Sequence, residues 1–162
     1  MSDSLIFSKP AKVLVVCMGN ICRSPTMEAV LAQTAAQRGL SLEVDSAGTI
    51  AYHQGNPPDK RSAAAARKRG YDLSSVKARQ VQSQDFEHFD LILCADEQNL
   101  ADLQSRCPEQ YQHKLALFLR FGEQQQDEVP DPYYGGTDGF ELVLDLVEHA
   151  SDIIIAKLSK QN

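Results

Sequence analysis

The segment from Cys17 to Ser24 contains the residue types that are needed to bind a phosphate group and to attack it. Its sequence is Cys-Met-Gly-Asn-Ile-Cys-Arg-Ser, so Arg23 follows the first cysteine by six positions. A cysteine thiolate is a strong nucleophile, and the planar guanidinium of Arg23 can donate two parallel hydrogen bonds to an oxyanion. The hydroxyl of Ser24 can lie beside the sulfur. Gly19 lets the backbone approach a ligand closely, and Asn20 tolerates the left-handed conformation that tight loops use.

The flanking residues predict a strand before this segment and a helix after it. The apolar run Val-Leu-Val-Val at positions 13–16 is typical of a buried strand that ends at Cys17. Ser24 and Pro25 are typical of a helix start, with Ser24 as the N-cap. A loop that enters a helix in this way points its free N–H groups at one place, where the helix dipole adds positive potential. The predicted anion-binding residues are Met18, Gly19, Asn20, Ile21, Cys22, Arg23 and Ser24, with Cys17 as the nucleophile.

This pattern has a simpler interpretation, which the neighbouring residues argue against. A single cysteine after an apolar strand is most often a small buried hydrophobe. Here each residue that follows Cys17 has a role in binding an anion, so chemistry is favoured. The chain contains no G-x-x-x-x-G-K-[ST] sequence, which excludes a Walker nucleotide-binding loop.

The rest of the chain alternates strand-like and helical patterns, which predicts a parallel sheet covered by helices on both faces. The expected fold class is α/β, with four parallel strands in a flavodoxin-like (Rossmann-like) order, and ligands bind beyond the carboxyl ends of such strands. The predicted strands are 13–16, 42–44, 91–94 and 115–119. The predicted helices are 24–38, 59–69, 96–105 and 138–160, and residues 123–128 are expected to form an exposed polar loop.

Composition indicates one domain over residues 1–162, of which 1–10 are expected to be a flexible N-terminal extension. That extension lacks the features of a signal peptide, and no apolar run reaches the roughly 18 residues of a membrane span. Four irregularly spaced cysteines then suggest reduced thiols and a cytoplasmic location. The net charge of −6 argues against nucleic acid as a partner. The four histidines lack ligand spacing, so no metal is expected.

Several motifs together resemble the low-molecular-weight protein tyrosine phosphatases. Cys17–Pro25 is similar to the C-x5-R-S signature of that family, and the likeness continues in order to the final helix. The other matching segments are Asp45-Ser46-Ala47-Gly48, Gly55-Asn56-Pro57-Pro58-Asp59, Ala78-Arg79-Gln80, residues 92–97 and Asp131-Pro132-Tyr133-Tyr134-Gly135. The resemblance implies hydrolysis of phosphotyrosine and aryl phosphate monoesters through a cysteinyl-phosphate intermediate, without a cofactor. It implies tyrosine-phosphorylated proteins as partners, among them a tyrosine kinase if the source is bacterial.

Asp131 is the candidate general acid and base. From the residues alone, an aspartate between Pro130 and Pro132 is typical of a turn. The resemblance implies that Asp131 protonates the phenolate leaving group and then activates water, so its carboxyl group must be protonated in the first step. Tyr133 and Tyr134 would line an aromatic slot for the substrate. The resemblance also places Ile21 and Tyr52 in the cleft, although an ordinary loop position explains Tyr52 almost as well.

The resemblance also implies a set of polar residues that support the loop, namely Asn20, Ser24 and Ser46. Members of the family commonly carry a histidine in this network where the present chain has Val76. We therefore expect the loop to have one fewer polar partner, with Ser75 as a candidate substitute, and activity to be retained. Asp96 is interpreted mainly as a helix cap that lies near the cleft. Cys22 is a candidate redox partner, because a disulfide with Cys17 would protect the thiolate.

Two other functions fit parts of this pattern. A thiol-dependent arsenate reductase resembles this fold and its C-x5-R loop, but such enzymes use two further thiols and lack the Asp-Pro-Tyr-Tyr loop. Here the other thiols, Cys94 and Cys107, are separated by twelve intervening residues, which is wider than that arrangement. A non-catalytic anion-binding module would need the cradle but not both Cys17 and Asp131.

Overall fold

The structure is a computed structural model that describes residues 11–132 and 137–159. The predicted N-terminal extension, Tyr133 and Tyr134 lie outside the described residues. Within the described ranges, no helix combines the length and the apolar character that crossing a membrane requires.

The described residues form a four-stranded parallel sheet with helices on both faces, which confirms the predicted fold class. The strands are β1 (Ala11–Cys17), β2 (Leu42–Gly48), β3 (Leu91–Cys94) and β4 (Leu115–Leu117). Their order in the sheet is β2-β1-β3-β4, with all pairs parallel. The chain therefore winds in opposite directions on the two sides of β1, and the crevice that this reversal creates lies at the end of β1, next to Cys17.

The helices are α1 (Arg23–Gln37), α2 (Lys60–Lys68), α3 (Ser83–His88), α4 (Glu97–Arg106), α5 (Phe118–Phe121) and α6 (Thr137–Ser159). A 3₁₀ helix (Glu109–Lys114) precedes β4. One apolar cluster packs α1, α5 and α6 against Val13 and Val15, and a second packs α3 and α4 against Leu14 and Val16. All four of these strand residues have no exposed surface. Because β1 is buried on both faces, its sequence is continuously apolar.

Two sequence predictions need correction, and some short helices were not predicted. The strand predicted for 115–119 ends at Leu117, because Phe118 and Leu119 begin α5 and are both fully buried there. The first helix begins at Arg23, with Cys22 in the N-cap position and no side-chain cap. Ser24 is thus a helical residue and not the N-cap. Helix α3 and the 3₁₀ helix were not predicted, since each has only six residues and so too few to show an apolar period.

Candidate active site

Cys17 lies at the carboxyl end of β1, at the base of a cavity of about 290 Å³. The backbone N–H groups of Asn20 and Ser24 donate to its sulfur over 3.3 Å and 3.4 Å. The Ser24 Oγ lies 3.1 Å from the same atom. Three groups able to donate hydrogen bonds therefore surround one sulfur at the start of a helix, where they can stabilise a negative charge.

Arg23 is buried, and its guanidinium is held in place on one side by protein groups. The Nη1 atom donates to Asp96 Oδ2 over 2.7 Å and to the carbonyl of Val129 over 3.0 Å. Burial lowers the pKa of the Arg23 guanidinium, but the negative charges of Cys17 and Asp96 outweigh it, so its pKa is raised. The arginine is therefore fully charged and oriented toward the cavity, which it lines together with Cys17.

Asp96 does more than cap α4, the role that sequence reasoning gave it. Its Oδ1 accepts from the N–H of Asn99 over 2.8 Å, which confirms the helix cap. Its Oδ2 holds Arg23. Asp96 also lies near the carboxyl end of β3, beside β1 in the sheet. This adjacency of strand ends is the signal that could have linked the two residues.

Asp131 lies at the rim of the same cavity. Its carboxylate is 3.8 Å from Arg23 Nη2, and about one third of its side-chain surface is exposed. Val129, two residues earlier, donates its N–H to Ala95 and accepts from Arg23. The segment that carries Asp131 is thus attached to the end of β3 and to the arginine. Cys17, Arg23 and Asp131 therefore line one cavity.

Asn20 connects the loop to its surroundings in a left-handed conformation, with φ of 59°. Its Nδ2 donates to Ser24 Oγ over 2.7 Å and to Ser46 Oγ over 3.1 Å. Its Oδ1 accepts from the N–H of Arg79 over 3.1 Å. Both side-chain atoms are therefore paired, and Ser24 and Ser46 lie where loop-supporting residues were expected.

The network is completed by a residue that sequence reasoning did not consider. Val76 is buried and contributes no polar group, and Ser75 is exposed. Ser46 instead donates to the carboxylate of Glu28 over 2.6 Å. Glu28 lies on α1, five positions after Arg23, among apolar residues that gave no signal of a polar contact.

Gly48 permits the close approach of β2 to the phosphate loop. It pairs with Cys17 in the sheet, and a Cβ added to it would lie 2.5 Å from the Met18 carbonyl oxygen. Such a contact is too short for any side chain, so a substitution must displace the loop. Glycine is required at this position because there is no room for a Cβ atom, and not because of its backbone angles.

We expect Gly48→Ala to lower kcat/KM for an aryl phosphate about hundredfold, because a displacement of the loop by about 1 Å misplaces the reacting groups. Overpacking should also lower stability by about 1–3 kcal/mol. Gly39→Ala is the matched control, since Gly39 has φ of +70° but open space around it. It should lose stability through strain and keep its kcat/KM. Equal kcat/KM for Gly48→Ala and wild type would contradict the prediction.

Cys22 is a buried residue of the loop itself, and its thiol is kept neutral. Burial, with a further contribution from the charge of Asp59, raises the pKa of Cys22 to about 12. Burial likewise raises the pKa of Cys94. All four cysteines are free and buried. A disulfide between Cys17 and Cys22 remains a prediction.

The walls of the cavity are apolar on one side. Ile21 and Tyr52, two of the predicted cleft residues, both line it, together with Met18, Ile50 and His53. Tyr52 is 83% exposed and packs edge-on against His53, with 4.8 Å between ring centroids. Ile50 and His53 were not predicted, because nothing in their sequence context separates them from ordinary loop residues.

Comparisons with known proteins agree with this geometry. The family model described as low molecular weight phosphotyrosine protein phosphatase matches residues 12–162. A putative low molecular weight protein-tyrosine-phosphatase of Synechocystis sp. is 44% identical over 93% of this chain and 98% of its own length. The human low molecular weight phosphotyrosine protein phosphatase is 44% identical over 81% of this chain and 85% of its own length.

A solved structure supports the same assignment. The crystal structure of a protein tyrosine phosphatase from Entamoeba histolytica, with Hepes in its active site, superposes with a TM-score of 0.89 at 43% identity. The match covers 93% of this chain and 97% of that one. The chain therefore belongs to the low molecular weight phosphotyrosine protein phosphatase family.

Proposed function

We propose that this protein hydrolyses phosphotyrosine and related aryl phosphates, with Cys17 as nucleophile, Arg23 as phosphate clamp and Asp131 as general acid and base. The observation that carries the proposal is the sulfur of Cys17, which accepts hydrogen bonds from two backbone N–H groups in a cavity that Arg23 and Asp131 also line. The thiolate, the guanidinium and the loop N–H groups supply the charge complementarity that phosphoryl transfer needs.

The reaction has two steps. In the first, the Cys17 thiolate attacks phosphorus, the bond from phosphorus to the aryl oxygen breaks, and Asp131 transfers its proton to that oxygen. In the second, the Asp131 carboxylate takes a proton from water as the water oxygen attacks phosphorus. The sulfur–phosphorus bond breaks, inorganic phosphate leaves, and the thiolate is regenerated. Ser24 can donate to the departing sulfur in this step.

The cavity walls favour an aromatic substrate. Met18, Ile50 and Tyr52 are exposed hydrophobic side chains, and all three line the cavity around the phosphate loop. They offer an apolar surface to the aromatic ring of a phosphotyrosine. Phosphoserine has no such ring. We include tyrosine-phosphorylated proteins as partners in the proposal, a tyrosine kinase among them if the source is bacterial. The proposal also includes a cytoplasmic location, because the nucleophilic thiol must stay reduced.

The test is hydrolysis of an aryl phosphate in the presence of a chelator, combined with rapid quenching, in denaturant, of a reaction with labelled substrate. We expect chelator-resistant turnover and labelled phosphate bound to the peptide that contains Cys17. An arsenate-dependent oxidation of thiols that requires Cys94 or Cys107, without aryl phosphate turnover, would instead identify an arsenate reductase. Binding of phosphate without turnover or label would leave only an anion-binding module.

Asp131→Ala should slow the hydrolysis of aryl phosphates by about two to four orders of magnitude, because the leaving oxygen then departs without a proton. The loss should be larger for phenyl phosphate than for 4-nitrophenyl phosphate, since nitrophenolate leaves readily without protonation. The measurement is kcat across a series of leaving groups.

Asp127→Ala serves as the control for this variant. It removes an exposed carboxylate from the same segment, where its partner is Arg120, and it should leave kcat unchanged. An Asp131→Ala loss that is equal for every leaving group would remove Asp131 from the role of acid.

A further inference from the structure

A continuous chain of hydrogen bonds links the nucleophile to a carboxylate on the opposite side of the phosphate loop. It runs from Cys17 through Ser24, Asn20 and Ser46 to Glu28. We propose that Glu28 is a positioning residue that sets the direction of these hydrogen bonds, so that the hydroxyl of Ser24 donates to the sulfur of Cys17. This inference rests on the proposed function, since it assigns a role to Glu28 in that same site.

The direction follows from what each group can donate and accept. An ionised carboxylate only accepts, so Ser46 must donate its single hydroxyl proton to Glu28. The Ser46 oxygen is then left as an acceptor, and it receives the Nδ2 group of Asn20. With the Nδ2 group of Asn20 facing Ser46, Asn20 Oδ1 faces the N–H of Arg79, and the second Nδ2 proton is donated to Ser24. Ser24 Oγ, already an acceptor, directs its own proton to the sulfur of Cys17.

The alternative direction shows why the carboxylate matters. If Ser46 donated to Asn20 instead, the Asn20 amide would have to rotate and present its oxygen to the two hydroxyl groups. Ser24 would then donate to Asn20 and could no longer donate to the sulfur. The N–H of Arg79 would face the Asn20 amino group. The acceptor-only carboxylate of Glu28 at one end of the chain and the donor-only N–H of Arg79 at Asn20 together exclude this arrangement.

Glu28 is half-buried, and charged groups from other elements face it. Burial raises the pKa of Glu28, the hydrogen bond from Ser46 and the charge of Arg79 lower it, and the charge of Asp45 raises it further, with a net increase. Asp72 and Val76 line the same surface groove as Glu28. The net effect of these surroundings is that the charged form of Glu28 is less favourable in the folded protein than in water.

This shift separates a positioning role from a stabilising one. A carboxyl group whose pKa is raised by folding stabilises the fold below its unfolded pKa, and that contribution is lost as the pH rises through the raised value. The ionised form of Glu28 therefore favours the fold less than a neutral group would. A glutamate retained only for stability would not be placed in this way, so Glu28→Gln is expected to keep or raise the melting temperature at pH 7.

The experiment measures the rate at which iodoacetate alkylates Cys17, which reports thiolate reactivity without requiring turnover. The glutamine of Glu28→Gln has the same shape but can donate to Ser46 and permit the alternative direction. We expect alkylation at pH 6 to slow about three- to tenfold, the scale of one lost hydrogen bond. kcat for an aryl phosphate should fall by a similar factor, with KM nearly unchanged and the melting temperature kept or raised. Glu87→Gln, which neutralises an exposed carboxylate on α3, is the control.

A double-mutant cycle with Ser46→Ala tests the path of the effect. If Glu28 acts through Ser46, Glu28→Gln should change neither alkylation nor kcat further in the Ser46→Ala background. Three outcomes would each overturn the proposal. The first is an alkylation rate of Glu28→Gln equal to that of the wild type, and the second is additive effects in the cycle. The third is a loss of alkylation rate and kcat that is matched by a fall in melting temperature. Because alkylation is independent of phosphate chemistry, these outcomes are distinct from failure of the proposed function, which would appear as absent aryl phosphate turnover in the wild type.

Discussion

Cys17→Ser should reduce aryl phosphate hydrolysis by about four to six orders of magnitude, the effect of removing a covalent nucleophile. A serine hydroxyl is not ionised near neutral pH, and the groups that surround this position cannot act as a strong base. The two N–H donors and the Ser24 hydroxyl around the sulfur stabilise an anion but cannot remove a proton from an alcohol. The measurement is kcat with chelator present, together with the loss of labelled protein after rapid quenching.

The rest of the site should remain intact in this variant. Arg23 and the loop N–H groups are unchanged, so inorganic phosphate should bind to Cys17→Ser with a Kd within about tenfold of that of the wild type, measurable by calorimetry. Cys107→Ser is the control, since Cys107 is a buried thiol that bonds to the carbonyl of Pro108. It should keep its kcat. Residual turnover by Cys17→Ser above about one per cent would contradict covalent catalysis by this residue.

Arg23→Lys should lower kcat/KM by about three to five orders of magnitude, in the range found when a transition-state arginine is removed from phosphoryl transfer. Lysine keeps the charge but has one donor group in place of a planar fork. It cannot hold Asp96 and the Val129 carbonyl on one side while it grips phosphate oxygens on the other. The measurement is kcat/KM for an aryl phosphate and Kd for inorganic phosphate.

The same substitution should also reduce stability. Asp96 and the Val129 carbonyl lose hydrogen bonds from a buried guanidinium, and because Asp96 is partly exposed we expect a loss of about 1–3 kcal/mol. Arg120→Lys is the matched control, because Arg120 is exposed and pairs with Asp127. It should change neither activity nor stability measurably. An Arg23→Lys enzyme that loses stability but keeps kcat/KM would make Arg23 a structural residue only.

The parts of the site that depend on neighbours in the chain were predictable from the sequence. The apolar run at 13–16, the cysteine and the arginine six positions later are local, and they predict the strand, the loop and the proposed phosphate clamp together. The same holds for Asp96 as a cap and for the four strands. These features need only the period of the apolar residues and the preferences of the residues at helix starts.

The parts that depend on distant residues were not predictable. Asp96 is 73 positions from Arg23 in the chain, and the Val129 carbonyl is 106 positions away. Nothing in the local sequence states that these groups meet. Ser24 shows the opposite error: its type and its position before Pro25 favour an N-cap, but its hydroxyl bonds to Cys17 and Asn20 instead. Here the tertiary structure overrides a local preference.

The fixed position of Arg23 affects how tightly the site can hold an anion. A free arginine side chain loses rotational freedom equivalent to about 2 kcal/mol when it becomes ordered. In this protein that loss occurs during folding, because Asp96 and Val129 immobilise the guanidinium before any ligand arrives. The side-chain torsions of Arg23 are therefore already fixed when phosphate binds. The free energy of phosphate binding is not reduced by the entropy cost of ordering this side chain.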